Sequence, residues 1–195
     1  PKQERTVVII KPDGVKRGLI GEIISRFEKR GLKVIALDMV WATKEEMDEH
    51  YPKDHEWITN LGQNTVKSAQ EYNVPLNLKE EFGTEDLFEF GKMVRAWLAE
   101  FMVSGPIVKM VVEGVHAIKM VRKIVGPTIP AMAEMGTIRG DFSVDSPAFA
   151  NPAKRAVHNL IHASGNKAEV AHELKHWFKE HQVHSYKRAE EDIMF

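Results

Sequence analysis

The sequence predicts an α+β fold in which helices pack on one antiparallel or mixed four-stranded sheet, a split βαβ arrangement. Three observations predict it. Short apolar, β-branched runs occur four times, and segments with apolar residues at helical spacing lie between them. Neither a G-x-G-x-x-G after the first run nor a G-x-x-x-x-G-K-[ST] anywhere marks a doubly wound nucleotide fold. The 195 residues suit a single domain, 1–195, with a sizeable core. There is no Cys, which excludes disulfides, thiol catalysis and cysteine-held metals. The 27 Lys plus Arg against 28 Asp plus Glu give a formal charge of −1, which argues against a general nucleic-acid binder. No apolar stretch approaches the roughly 18 residues of a membrane span. The polar start Pro1-Lys2-Gln3-Glu4-Arg5 does not read as a signal peptide, so a cytoplasmic protein with no membrane partner is expected.

Each element has its own signal. Residues 6–10 (TVVII) read as a strand stopped by Lys11-Pro12-Asp13-Gly14, a turn in which Pro12 cannot donate to a ladder and Gly14 permits a positive φ. Ile20, Ile23, Ile24 and Phe27 recur at helical spacing, with Gly31 as the C-cap. Residues 32–41 are the second strand, and Thr43 with Glu46 forms a capping box for a short helix ending near Tyr51-Pro52. From Pro52 to about Gly91 the pattern loosens, as expected of an excursion from the main fold. Val94, Trp97, Leu98, Phe101 and Met102 restore a helical stripe, closed by Ser104-Gly105-Pro106. Residues 107–112 are the third strand. Ile118, Val121, Ile124 and Val125 mark a helix ended by Gly126 and Pro127, and a long loop runs to about Pro152. Residues 156–161 are the fourth strand. Asn166 with Glu169 caps the last helix, whose buried face is predicted as Val170, Leu174, Trp177 and Phe178.

Several motifs carry chemistry. His172-Glu173-Leu174-Lys175-His176 spells H-E-x-x-H, which in a zinc protease places two imidazoles on one helix face. With nine His in the chain an i, i+4 pair arises by coincidence, and no third ligand follows. Arg139-Gly140-Asp141 spells an adhesion tripeptide that has no secretory context. His162 is more informative, because Ala163-Ser164-Gly165 keep its surroundings small, Asn159 precedes it and Glu173 lies in the next helix. Lys11 follows the first strand, Arg122 ends a helix and Arg139 lies in the long loop. Three cations and a His without a P-loop suit phosphoryl transfer through a side-chain nucleophile. A non-catalytic nucleotide- or RNA-binding module of the same topology is the competing reading, although the strands are aliphatic apart from Trp41 and nucleic acid is not the expected partner.

Four segments resemble the nucleoside diphosphate kinase family: Lys11-Pro12-Asp13-Gly14-Val15, Ser104-Gly105-Pro106, the run GTIRGDF over 136–142, and the run NLIHAS over 159–164. They stand in the family's order and cover the chain from about Glu4 to Phe178. The resemblance implies a ferredoxin-like split βαβ sandwich with a four-stranded antiparallel sheet. It implies transfer of the γ-phosphoryl of a nucleoside triphosphate to a nucleoside diphosphate by a ping-pong mechanism, with His162 as the transiently phosphorylated side chain. Lys11, Arg122, Thr128 and Arg139 match phosphate-binding positions, and Asn159 together with Lys11 matches sugar contacts. Ser164 and Glu173 match the pair that supports the His, and Tyr51 matches an aromatic beside the phosphate site. Magnesium is implied as a bridge between substrate phosphates, held by no protein ligand, and a homo-oligomer, tetramer or hexamer, is implied as the assembly.

Three departures stand out. An insertion of about forty residues lies at about 53–91, a shorter one lies at about 143–153, and Gly165 replaces a customary acid. The aromatic on which the base stacks would fall near Val94, with Phe90 and Trp97 as its neighbours, so no stacking residue is assigned.

Overall fold

The computed structural model describes residues 3–194. In chain order the elements are β1 (Gln3–Ile10), α1 (Pro12–Lys16), α2 (Ile20–Lys29), β2 (Lys33–Val40), α3 (Lys44–His50), α4 (His55–Glu71), α5 (Leu78–Phe82), α6 (Leu87–Met102), β3 (Ile107–Val115), α7 (Ala117–Val125), α8 (Ile138–Phe142), α9 (Pro147–Ala150), β4 (Ile161–Ala163), α10 (Lys167–Trp177) and α11 (Glu191–Met194). They form two compact units. The first comprises Pro1–Trp41, Gly105–Val144 and Asn159–Phe195, and the second Ala42–Ser104 and Asp145–His158.

The first unit is built on a four-stranded sheet of order β2-β3-β1-β4. Every neighbouring pair is antiparallel, which resolves the choice between antiparallel and mixed. β1 is central because its run TVVII is apolar at every position but the first, as a strand covered on both faces requires: Val7, Val8, Ile9 and Ile10 are all fully buried. On one face, Val8, Ile10, Val108, Met110, Val112 and Ile161 join a core with Ile23 and Phe27 of α2 and Val121 and Val125 of α7. Ile23 and Phe27, like Val121 and Val125, are four residues apart, so each pair lies on one helix face. Each such side chain contributes about 1.5–3 kcal/mol when fully buried. The C-terminal segment follows the outer strand β2: His184 N donates to Ile35 O at 2.8 Å and Tyr186 Oη to Val34 O at 2.7 Å. Lys33 is anchored there by Glu113 at 3.2 Å and Glu191 at 3.1 Å.

The second unit is helical. The capping box predicted at Thr43 is formed, with Glu46 N donating to Thr43 Oγ1 and Thr43 N donating to a Glu46 carboxylate oxygen. The segment expected to be loose is largely ordered: α4 is 17 residues long and capped by Asp54, whose Oδ1 accepts from Trp57 N at 2.8 Å. α4 packs on α6 through paired glycines. A Cβ at Gly62 would lie 2.3 Å from Leu87 O, and one at Gly91 would lie 2.0 Å from Ile58 O. The backbones meet because neither residue has a side chain. Phe90 is fully buried there and Val94 is 7% exposed. Phe90 packs against Phe82 at 4.9 Å and Trp97 at 6.2 Å between ring centroids.

Three local expectations are corrected. Lys11-Pro12-Asp13-Gly14 opens the five-residue helix α1, with Pro12 at its first position, where a missing N–H costs nothing. The fourth strand spans only Ile161–Ala163, because Leu160 has a φ of +70° and breaks the extended run before it. On α10 the buried residues are Val170, Glu173 and Trp177, so Glu173 takes the position expected of Leu174. No helix among the described residues is long and apolar enough to cross a membrane.

Candidate active site

His162 lies in β4 opposite Ile9 of β1, and its side chain is 23% exposed. Its Nε2 is 2.7 Å from Glu173 Oε1. Ser164 Oγ donates to the other carboxylate oxygen, Glu173 Oε2, at 2.6 Å, and accepts from Val7 N at 3.3 Å. A carboxylate only accepts, so the bond to Glu173 is donated by Nε2–H, and in the tautomer with its proton there the lone pair would lie on Nδ1. The two supporting residues expected from the sequence are therefore assembled on the His, one from the strand end and one from α10.

A cavity of about 210 Å³ opens beside this ring, lined among others by Lys11, Arg122, Thr128, Arg139, Asn159 and His162. The local folds that deliver them are unrelated in sequence. Lys11 caps α1, Arg122 ends α7, Arg139 is in α8 and Asn159 precedes the Leu160 turn. Lys11 Nζ donates to Asn159 Oδ1 at 2.7 Å, and Asn159 Nδ2 donates to Thr128 O at 2.9 Å. Arg139 is 7% exposed and spends three N–H groups on carbonyls: Nε on Asn159 O at 3.0 Å, and its terminal nitrogens on Gly126 O at 3.0 Å and Ile161 O at 2.5 Å. A guanidinium has five donors, so two remain for an anion. Burial, with the Arg139 charge beside it, lowers the Lys11 ammonium from 10.5 to about 7. Burial, with Arg122 nearby, lowers Arg139 from 12.5 to about 10. Both shifts record positive charge held out of water and pressed together, a field that favours an incoming polyanion.

The structure thus brings eight of the nine predicted residues into the first unit and seven of them, His162, Lys11, Arg122, Thr128, Arg139, Asn159 and the supporting Glu173, onto the cavity or the His ring, with Ser164 behind. Tyr51 is the C-cap of α3 in the second unit. The competing readings lose their residues. Glu173 is committed to His162 and Ser164, leaving H-E-x-x-H without a base, and its His172 and His176 rings lie parallel with centroids 6.2 Å apart. Arg139 and Asp141 sit in α8, with Asp141 paired to Arg26 at 2.7 Å, not on an open adhesion loop. At Gly165, where the sequence departs from the family pattern, the backbone N donates to Glu169, 2.6 Å away, which lines the cavity. Glu169 and Asp13 are the two site residues the sequence did not flag. Phe90, being fully buried, offers no face for a base to stack on.

An imidazole fixed by a carboxylate, facing a cavity lined by two buried cations and Arg122 on an antiparallel split βαβ sheet, defines a class of phosphoryl-transfer site that works through histidine. The nucleoside diphosphate kinase family model matches residues 4–68 and 88–183. The nucleoside diphosphate kinase of Pyrobaculum aerophilum is 49% identical over 180 residues, which cover 92% of this chain and 97% of that protein. The crystal structure of an NDP kinase from the same organism superposes with a TM-score of 0.89 at 46% identity, covering 93% of this chain and 99% of that one. A transition-state mimic of the Borrelia burgdorferi enzyme, with bound vanadate and ADP, superposes with a TM-score of 0.76 at 36% identity, covering 97% and 95% of the two chains. The chain belongs to the nucleoside diphosphate kinase family.

Proposed function

We propose that the protein moves the γ-phosphoryl of a nucleoside triphosphate onto a nucleoside diphosphate by way of a phosphohistidine at Nδ1 of His162. The observation that carries this reading is the Glu173–Nε2 bond at 2.7 Å on a ring that borders the cationic cavity. In the first half-reaction the Nδ1 lone pair attacks the γ-phosphorus and the bond to the β–γ bridging oxygen breaks, releasing the diphosphate. Glu173 holds the Nε2 proton and stabilises the ring as it becomes cationic. Lys11, Arg122 and the two remaining Arg139 donors neutralise the equatorial oxygens, and Thr128 helps fix the phosphate line. Asn159, with Lys11, takes the sugar. The second half-reaction is the reverse, with a different diphosphate. The role of Tyr51 beside the phosphates rests on the family resemblance alone.

Among the residues lining the cavity only Glu169 is a carboxylate, and it already accepts from Gly165 N and Asn166 Nδ2. Such a lining suits an anion that brings its own cation, so magnesium would come with the nucleotide phosphates rather than be held by this cavity, and would supply charge neutralisation there. The alternating Leu37, Met39 and Trp41 on and just after outer strand β2, 54%, 54% and 65% exposed, support a homo-oligomer, and its tetramer or hexamer type rests on the family resemblance alone. We also propose a single functional domain, since the family match includes residues of both units, with the unmatched stretch 69–87 inside the enlargement at about 53–91. The cytoplasm is the compartment we propose, as one that supplies nucleotide substrates.

Initial-rate kinetics test the two-step route. A phosphohistidine intermediate gives parallel double-reciprocal lines when the triphosphate is varied at several fixed concentrations of a different diphosphate. Direct transfer between two nucleotides bound together gives intersecting lines, and that result would overturn the proposal.

A further inference from the structure

The segment that delivers Asn159 and His162 to the cavity contains a turn that does not hold itself. Ile161 N donates to Asn159 O at 2.8 Å, an i to i+2 bond, and the residue between them, Leu160, has a φ of +70°. That is the geometry of a γ-turn with a positive φ, the rare and strained kind, here at a branched residue that is only 1% exposed. Such a turn persists only where its surroundings over-determine it. Two of its carbonyls are taken by Arg139, and Leu160 O accepts from Lys11 N at 2.8 Å. The remaining group is the Leu160 N–H, and it donates to Asp13 Oδ2 at 3.0 Å. Asp13 stands in the first turn of α1, which lies tight against the same residue: a Cβ on Gly14 would be 2.9 Å from Leu160 O.

Resting on the phosphohistidine reading of His162, we propose that Asp13 is a positioning residue: by accepting the Leu160 amide it clamps the strained turn that sets His162 and Asn159 at the phosphate cavity. The exchange between the two segments is reciprocal, since Lys11 gives its amide to Leu160 and Asp13 receives the amide of Leu160. The β1–α1 corner, which supplies the cavity's Lys11, is thereby locked to the segment that supplies the nucleophile. The charge of Asp13 has a further use. Its field acts on both Lys11 and Arg139 and opposes the effect of burial on each. Its other oxygen, Oδ1, is buried and has no hydrogen-bond partner in the structure. A buried carboxylate kept half-bonded is costly for a fold, which points to its one bond and its charge as the reason it stands there.

The test is single-turnover phosphorylation of the full chain by γ-labelled ATP, measured per folded molecule, for wild type, Asp13→Ala, Asp13→Asn and Asp13→Glu. Wild type that takes up no label would sink the phosphohistidine reading itself, an outcome distinct from any difference among the Asp13 variants. The clamp predicts that Asp13→Ala slows phosphorylation by ~100-fold, the size expected from a misplaced nucleophile, with a much smaller change in KM. Asp13→Asn keeps an acceptor oxygen in the same place and is expected to recover to within ~10-fold of wild type. If Asp13→Ala does not fold, Asp13→Glu decides, because it keeps the charge but moves the acceptor one methylene outward; a loss of ~10-fold or more is expected. Wild-type rates in Asp13→Ala or Asp13→Glu, or an Asp13→Asn rate as low as that of Asp13→Ala, would overturn the proposal.

Discussion

At Lys11, burial and the neighbouring Arg139 hold the ammonium at about 7 in place of 10.5. Between those two pH values the unfolded chain binds the proton and the folded one does not, so this group's contribution to stability rises as pH goes from 7 to 10.5. A bound triphosphate acts the other way, because its oxygens restore the affinity of Lys11 for its proton. Nucleotide binding at about pH 8.5 should therefore take up close to one proton, seen as a binding enthalpy that depends on the buffer's own ionisation enthalpy. Lys11→Gln should abolish the uptake, and equal uptake in wild type and variant would contradict the assignment. Lys11, Arg139, Asn159 and His162 were legible in the sequence because the motifs around them keep an informative order along the chain, whereas Arg122 stood out only as a cation before the long loop and Thr128 only through the family resemblance. Asp13 was hidden in plain view: between Pro12 and Gly14 it reads as turn chemistry, and nothing local announces an acceptor for an amide 147 residues away. Glu169 was visible only as half of a cap, which it also is.

Among the elements, β2 shows how a sequence pattern acquires meaning from its neighbours. Its first half is covered, since the C-terminal segment bonds to Val34 and Ile35 and buries Lys33 against Glu113 and Glu191. Its second half carries Leu37 and Met39, each 54% exposed, and Trp41 follows. An outer strand with exposed apolar residues two apart is a template for another copy of the chain. Met39→Lys, at an exposed position, should shift the protein to smaller species in sedimentation velocity while leaving its circular dichroism unchanged. A wild type that sediments as a monomer would contradict the oligomer. The first three strands were legible as short apolar, β-branched runs, and the α2 and α7 helices because their apolar residues keep a helical period against one sheet face. α4 was not, because Asn60, Gly62, Gln63 and Asn64 interrupt its stripe, and Gly62 is there for a backbone crossing with Gly91 that only the folded unit reveals. The sequence starts the fourth strand five residues early because residues 156–160 are apolar enough to mimic one, while the positive φ of Leu160 leaves no trace in composition.

For the molecule as a whole, the split βαβ sheet is a device for convergence. Antiparallel pairing brings the end of β1 to β4, so that Lys11 and Asn159, 148 residues apart, meet at 2.7 Å. α7 and α8 contribute Arg122 and Arg139 from between those strands, and α10 reaches back with Glu173 to orient the ring. Everything in this arrangement turns on a covalent bond between phosphorus and one nitrogen of one side chain. The most direct measurement is to mix the protein with γ-labelled ATP, quench in base, and locate the label by mass spectrometry of the peptide that spans β4. The account predicts one acid-labile, base-stable phosphate per chain on His162, discharged by added nucleoside diphosphate and absent in His162→Ala. Label on another residue, or label that persists when diphosphate is added, would contradict it.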